Sequence, residues 1–367
     1  MALKIGLVGM GGIGNTHADA YVKDELANLA AVCDVKRELA DAAAAKYGVP
    51  AFYTLQDMLK AMPELDMIDV TTSGYEQGSW HYVPVMEALT AGKNVLCEKP
   101  MSNDVREARE MVALAAQKQL YLGCNLNHYF TKTADHADQL IKDGKIGEPV
   151  YMIHKMGFNG GQSDYKGPGS LRWQRPYSHM KAFLAHPFSV MRHFGGDITH
   201  IQAFLSKPGV RQTANDVMLS INSVHVKFAN GSSGYLLSQR GDAMFGLGGW
   251  WSLEMAGTKG TFVIENCVEK ISFWDAGQPK NSLSAPAPTE VYETGITDFG
   301  ATFPVRLHAF LEDVTNQVSP DLIRASGRDA LATIEYMYAV IRSYEEGGIV
   351  VRPEPLPNLH GDIFKTI

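Results

Sequence analysis

A short run near the start of the chain has the residue types and spacing to hold a diphosphate. Gly9, Gly11 and Gly14, in Gly9-Met10-Gly11-Gly12-Ile13-Gly14, match G-x-G-x-x-G, and Asp34 lies 20 residues beyond the last of them. A dinucleotide pyrophosphate needs bare backbone N–H groups at a helix N-terminus, where the helix dipole favours negative charge. A side chain at Gly9 or Gly11 would block the approach, and a bare Gly14 lets the helix pack closely on its sheet. Gly12 and Ile13 complete the turn. Asp34 can accept hydrogen bonds from both hydroxyls of an adenosine ribose and would repel a 2′-phosphate, so the expected cofactor is NAD rather than NADP. Lys36 and Arg37 pull the other way, because either could reach a 2′-phosphate.

A second chemical group sits further on. Lys99 follows the apolar run Asn94–Cys97, which reads as a strand. An ammonium at the carboxyl end of a parallel strand stands where ligands of such sheets bind. There it can stabilise developing alkoxide charge, or relay a proton if burial lowers its pKa.

The elements that must position these groups are legible as alternation. Residues 3–9 read as a buried strand, 15–31 as an amphipathic stretch and 29–33 as a second strand ending at Asp34. Helices are expected over 37–47, 54–62, 82–91, 104–117 and 131–142, and strands over 67–71, 94–97 and 120–123. Strands alternating with helices of this length imply a parallel, doubly wound sheet. Near residue 125 the pattern changes. Long alternating segments at 149–156, 199–205, 216–228, 234–239, 251–256, 261–265 and 269–273 predict a second domain built on a large, mainly antiparallel open sheet. Asn230-Gly231 is a hairpin signal between two of them. Helices over 303–317 and 329–345 are expected on one face of that sheet, with loops over 157–170 and 275–290. The expected fold class is therefore α/β followed by α+β, with domains at 1–125 and 126–367.

Composition narrows the function. A chain of 367 residues exceeds one core and suggests two domains. A net charge of −7 with no basic run argues against nucleic acid and against an anionic membrane surface. No apolar run approaches a membrane span. The chain opens directly into a strand, so the expected location is the cytoplasm. Cys33, Cys97, Cys124 and Cys267 lack metal-ligand spacing and read as reduced thiols, and no metal is implied.

Further residues make the chain resemble a known family. These are His17 three residues after the glycine turn, the segment Ala91-Gly92-Lys93-Asn94-Val95-Leu96-Cys97-Glu98-Lys99-Pro100, the segment Gly144-Lys145-Ile146-Gly147, and Ser343-x-x-x-Gly347. Together they resemble the glucose–fructose oxidoreductase / inositol dehydrogenase / MocA family over essentially the whole chain. The resemblance implies an N-terminal Rossmann domain, a C-terminal open-sheet domain and NAD-dependent oxidation of a secondary hydroxyl on a sugar, sugar derivative or cyclitol. It places Lys99 beside the nicotinamide and the reacting hydroxyl, gives Glu98 an orienting part, and makes a cis Lys99–Pro100 bond expected. Ala185-His186-Pro187-Phe188-Ser189 resembles the family's G-x-H-x-x-D segment, which carries the acid–base role to His186.

Departures from the family pattern are equally informative. Ala182 and Ser189 stand where members often have aspartates, and His179, Lys181 and Tyr177 are candidates to fill the gap. Thr71-Thr72-Ser73-Gly74-Tyr75-Glu76-Gln77-Gly78-Ser79-Trp80-His81 is longer than the family's T-P-x-x-x-H stretch; Thr71, Thr72, Ser73 and His81 are expected to contact the cofactor. Asn125 and Asn127 stand in an N-x-R pattern with His128 in the arginine's place, and Asn127 is a substrate-contact candidate, as are His179 and Ser189. Arg172 and Trp173 suit either a sugar ring or a subunit contact. Trp250-Trp251 reads as core or interface, and His308 as a residue near a helix cap. The resemblance also implies a homodimer or homotetramer formed through the second sheet. Two other activities occur among relatives: glycoside cleavage with transiently used NAD, and NAD-binding regulation without catalysis.

Overall fold

The computed structural model describes residues 2–158, 175–207, 218–240, 249–277 and 286–356. The chain divides into two compact units. One holds the residues up to Leu126 together with Phe303–Glu335; the other holds Asn127–Thr302 together with Tyr336–Glu354.

The first unit is a six-stranded parallel sheet in the order β3-β2-β1-β4-β5-β6. Its strands are β1 (Leu3–Val8), β2 (Ala27–Cys33), β3 (Ala51–Phe52), β4 (Met67–Val70), β5 (Asn94–Cys97) and β6 (Leu122–Cys124). Between them run α1 (Gly12–Tyr21), α2 (Arg37–Tyr47), α3 (Leu55–Ala61), α4 (Tyr82–Thr90) and α5 (Val105–Lys118). The strands are short, apolar and buried on both faces, as a parallel sheet covered by helices requires. The strand order reverses between β1 and β4, so their carboxyl ends flank a topological switch point, where open α/β sheets bind ligands. Thr54 and Asp104 cap α3 and α5 by accepting from backbone N–H groups of the first turn.

The second unit is an eight-stranded mixed sheet in the order β14-β13-β12-β11-β7-β10-β9-β8. Its strands are β7 (Pro149–Phe158), β8 (Ile198–Ser206), β9 (Ile221–Phe228), β10 (Ser233–Arg240), β11 (Trp251–Gly257), β12 (Gly260–Glu265), β13 (Lys270–Asp275) and β14 (Glu290–Glu293). All neighbours pair antiparallel except β7 and β10 at the centre. One face is buried, with Met152, His154 and Met156 of β7 and Val224, Val226 and Phe228 of β9 pointing inward. Helices α6 (Lys132–Lys142), α7 (Ser178–Phe183) and α8 (Ala185–Gly195) belong to this unit. Helix α8 packs on the buried face, where Gly195 leaves room for the Phe228 ring: a Cβ at Gly195 would lie 2.5 Å from it. On the other face Tyr151 and Ile153 of β7 and Phe204 of β8 are exposed. Strand β14 falls beyond the expected strands, because Glu290–Glu293 alternates between two acidic ends and lacks a strong apolar signal.

The first of the two late helices departs from expectation. Helix α9 (Thr302–Thr315) was expected to cover the second sheet; instead Leu307, Phe310 and Leu311 join Ile5, Leu7, Met67 and Leu96 in the core of the first unit. The amphipathic period reveals a buried stripe but not which sheet it meets. Helix α10 (Gly327–Glu345) follows. Residue 123 is glycine because a Cβ there would stand 2.7 Å from the Phe310 ring. Among the described residues no helix is long and apolar enough to cross a membrane. Phe310→Ala should cost about 3–5 kcal/mol, the range for emptying a buried aromatic site. Denaturant unfolding followed by far-UV circular dichroism measures it, and a change below ~1 kcal/mol would remove α9 from this core.

Candidate active site

In the first unit the glycine turn joins β1 to α1, and its glycines do two different jobs. Gly9 has φ of +101°, and a Cβ there would stand 2.6 Å from the Thr72 amide nitrogen. A Cβ at Gly14 would lie 1.9 Å from the Gly9 carbonyl oxygen. These two let the turn close on itself and on Thr71, whose hydroxyl donates to the Gly9 carbonyl at 2.7 Å. A Cβ at Gly11 or Gly12, by contrast, would meet nothing within 4 Å. Gly11 caps α1 without a side chain, so the first-turn N–H groups keep no intrahelical acceptor. Ile13 is exposed beside them. Asp34 ends β2 and accepts from the Met10 N–H at 2.7 Å and the Lys36 N–H at 2.8 Å. These residues fit a dinucleotide: backbone donors for a pyrophosphate, with a carboxylate fixed next to them for a ribose. The Arg37 guanidinium lies 4.1 Å over the Tyr53 ring, which parks it on an aromatic face.

Behind the turn is a buried charged cluster. Gly14, His17, Ala18 and Tyr21 form the buried stripe of α1, at helical spacing. His17 and Tyr21 therefore reach the same oxygen of Asp69 on β4, each at 2.8 Å. The other His17 nitrogen lies 3.1 Å from Glu98 at the end of β5, and Asn125 donates to the same Glu98 oxygen. Burial by itself would push the His17 pKa down, but the Asp69 charge, helped by hydrogen bonds that the ring donates to Asp69 and Glu98, raises it to about 10. Burial would raise Glu98, yet the His17 hydrogen bond and charge, the Lys99 charge and the Asn125 amide bring it down to about 2. At neutral pH the cluster is an imidazolium between two carboxylates.

That cluster sets Lys99. Glu98 Oε2 accepts from the Lys99 backbone N–H at 3.0 Å, and the Lys99–Pro100 bond is cis, as expected. The Lys99 ammonium donates to Gln77 Oε1 at 3.0 Å. Gln77 sits in the loop that is longer than the family's, with Glu76 and Gln77 both in left-handed backbone, at φ of 52° and 70°. Such non-glycine conformations persist only where the surroundings hold them. Here the His81 ring bridges the Pro100 and Thr72 carbonyls, Thr72 Oγ1 donates to the Trp80 carbonyl at 2.9 Å, and the Trp80 N–H donates to the Ser73 carbonyl at 3.2 Å. Burial lowers the His81 pKa against the pull of those two carbonyls. The Thr71 hydroxyl, the Thr72 hydroxyl and the His81 ring are thus turned to the protein's own backbone and shape the site.

In the second unit His186 lies buried on α8, stacked on the ring of His128. Ser189 donates to the His186 carbonyl at 2.7 Å, a bond within its own helix turn, so it does not orient the imidazole. Tyr177 donates to Glu345 at 2.6 Å, and the Lys181 ammonium lies 5.5 Å over the Tyr338 ring. His179 Nε2 is 3.3 Å from Ser238 Oγ, and the Asn127 amide donates to Thr302 at 2.7 Å. Arg172 and Trp173 lie outside the described residues. Trp251 is buried core and hydrogen-bonds His128, while Trp250 packs edge-on to Phe299. His308, expected near a helix cap, pairs with Asp24 at 2.9 Å. The sequence reading missed Asp69, although a lone acid inside the apolar strand Met67–Val70 was a usable signal. It also missed Gln77 as the partner of Lys99 and Trp251 as the partner of His128, both contacts between residues far apart in sequence.

Residues 3–126 match the oxidoreductase family with an NAD-binding Rossmann fold, and residues 135–263 match the GFO/IDH/MocA C-terminal domain. The inositol 2-dehydrogenase of Rhizobium meliloti is 24% identical over 94% of this chain and 98% of its own. The D-apiose dehydrogenase of Paraburkholderia graminis is 24% identical over 58% of this chain, a match that spans 55% of that protein's length. A solved NAD binding oxidoreductase from Klebsiella pneumoniae superposes with a TM-score of 0.81 at 22% identity, covering 96% of this chain and 99% of that one, which establishes a shared fold.

The buried cluster predicts a pH window. His17, with its pKa raised, contributes stability that is complete below ~6.5 and is lost as pH rises through about 10. Glu98, with its pKa depressed, contributes stability that is complete above ~4.5 and is lost as pH falls through about 2. The melting temperature should therefore fall on both sides of the neutral range. His17→Gln, which leaves two buried carboxylates facing each other, should cost about 3–5 kcal/mol at neutral pH and flatten the alkaline fall. Calorimetry across pH measures both, and an unchanged alkaline limb in the variant would refute the imidazolium.

Proposed function

The chain belongs to the GFO/IDH/MocA oxidoreductase family with an NAD-binding Rossmann fold, and from that premise we propose that it oxidises a secondary hydroxyl of a sugar, sugar derivative or cyclitol. The observation that carries the reading is Lys99, at the carboxyl end of a parallel strand: its ammonium donates to Gln77, and its backbone N–H donates to a Glu98 that is itself locked to the glycine-turn helix. Relatives named as inositol and D-apiose dehydrogenases support the substrate class. NAD, when bound, supplies the hydride acceptor. Gly9, Gly11, Gly12, Ile13 and Gly14 would hold its pyrophosphate, Asp34 its adenosine ribose, and Thr71, Thr72, Ser73, His81, Glu98 and Lys99 would form the wall at its nicotinamide end.

The chain's own groups supply the rest of the chemistry. A secondary alcohol must lose its hydroxyl proton as the C–H bond breaks, and neutral imidazole is a suitable base near neutral pH. His186 takes that role and Lys99 stabilises the developing alkoxide. Asn127, His179, Ser189, Arg172 and Trp173 are the proposed supports of the substrate pocket, the first three by fixing its wall. No metal enters this mechanism. The protein is further proposed to pair through the exposed face of its second sheet, where Tyr151, Ile153 and Phe204 present apolar surface that a second copy would cover.

Three outcomes test these readings. A panel of polyols and aldoses should give NADH absorbance with NAD and a lower kcat/KM with NADP; Asp34→Ser should shift the preference toward NADP about tenfold or more, the value of one good ribose contact. Glycoside cleavage without NADH build-up would point instead to transient use of the cofactor. Lys99→Ala should lower kcat at least ~10²-fold with NAD binding nearly intact, and His186→Asn should lower it ~10²–10⁴-fold and remove the acidic limb of the rate profile. Normal turnover in either variant removes that residue from the mechanism. Light scattering at micromolar concentration should show a dimer or tetramer, and Ile153→Lys should shift it toward monomer; a monomeric wild type contradicts the pairing.

A further inference from the structure

Two cations, Lys36 and Arg37, follow Asp34 at the end of β2. A 2′-phosphate on the adenosine ribose would need one of them, because it would bring about −1.5 to −2 charge beside the Asp34 carboxylate. Arginine is the better phosphate ligand, since its planar guanidinium can donate two parallel hydrogen bonds. Asp34 is engaged by the Met10 and Lys36 N–H groups, and among the described residues Arg37 forms no ion pair with it. The Arg37 guanidinium lies instead 4.1 Å from the centre of the Tyr53 ring, within cation–π reach.

Strand pairing brings Tyr53 to this corner. Cys33 is in register with Phe52, and the Asp34 N–H donates to the Phe52 carbonyl at 3.1 Å, so Tyr53 is the next residue beside Asp34. The Tyr53 hydroxyl donates to Asp41 Oδ1 at 2.9 Å. Asp41 lies one turn beyond Arg37 on α2, so the acid and the cation share a helix face. The ring is therefore held against the first turn of α2, under the guanidinium. The Asp41 hydrogen bond raises the pKa of the phenol, with the Arg37 charge opposing it. At neutral pH Tyr53 is thus a neutral donor and the anchor is intact.

We propose that Tyr53, anchored by Asp41, withholds the Arg37 guanidinium from the 2′-phosphate position and so sharpens the preference for NAD over NADP that Asp34 sets. Arg37 must leave the aromatic face before it can bind phosphate, and an exposed cation–π contact is worth about two- to fivefold in affinity. Tyr53 and Asp41 are then specificity determinants that act through Arg37 and take no part in hydride transfer. The inference rests on the assignment of Asp34 to the adenosine ribose proposed above.

The test is equilibrium binding of NADH and of NADPH to the full chain without substrate, followed by nucleotide fluorescence. Arg37→Ala is made in the wild type and in Tyr53→Leu/Asp41→Asn. The leucine keeps apolar bulk without the ring, and the asparagine prevents the released Asp41 from taking the Arg37 charge itself. Tyr53→Leu/Asp41→Asn should raise the NADPH-to-NADH affinity ratio about two- to fivefold. Arg37→Ala should then lower that ratio about two- to fivefold more in this background than in the wild type. Lys36 is present in all four proteins and cancels in the comparison. Equal losses in the two backgrounds overturn the inference, as does a gain in the ratio that survives Arg37→Ala. Should the leucine variant fail to fold, Tyr53→Ser removes the ring equally and carries the same comparison. A wild type that binds NADPH more tightly than NADH refutes the Asp34 assignment, and the four-protein comparison still decides whether Tyr53 withholds Arg37.

Discussion

A buried imidazolium holds the cofactor half of this protein together. His17 carries its charge deep under the glycine turn because Asp69 on one strand and Glu98 on the next surround it. Removing one member of such a group leaves an uncompensated charge, so the three positions are coupled in stability even though they lie far apart in sequence. The cluster also carries mechanical information. It links the helix that follows the glycine turn to the strand end that delivers Lys99, through the Glu98 bonds to His17 and to the Lys99 backbone N–H.

The loop between Thr71 and His81 is the second fixed point. It runs through two successive left-handed residues and is fastened by a buried histidine that spans two carbonyls. Gly78 allows this, since a Cβ there would stand 2.7 Å from the Pro100 carbonyl oxygen. The consequence is chemical. Lys99 donates to a neutral carboxamide from this loop, while the neighbouring Glu98 carboxylate is taken up by His17, Asn125 and the Lys99 backbone. The loop's carboxamide thereby helps to fix where the ammonium stands.

In the second unit the described contacts of α8 are local and aromatic. Ser189 turns to its own helix. His186 stacks on a second imidazole, that of His128, and the His128 ring accepts a hydrogen bond from the Trp251 indole. Aromatic packing thus fixes the plane of the His186 ring.

Much of this was legible in the sequence, because the signals are local. The glycine turn, the acid closing β2, the cis Lys99–Pro100 bond, the strand–helix alternation and the switch to long alternating strands each depend on residues within one or two elements of one another. What the sequence left undetermined depends on partners brought together by folding. Helical periodicity gave α9 a buried stripe but could not say that Phe310 would pack against Gly123 of the first sheet. The resemblance left His179, Lys181 and Tyr177 as nearby candidates for a missing acid, and only the tertiary contacts showed them in contact with Ser238, Tyr338 and Glu345. The charge of His17, the partner of Lys99 and the indole partner of His128 were likewise decided only in three dimensions, since protonation and hydrogen bonding follow from burial and from which groups face one another, and neither is written in spacing along a chain.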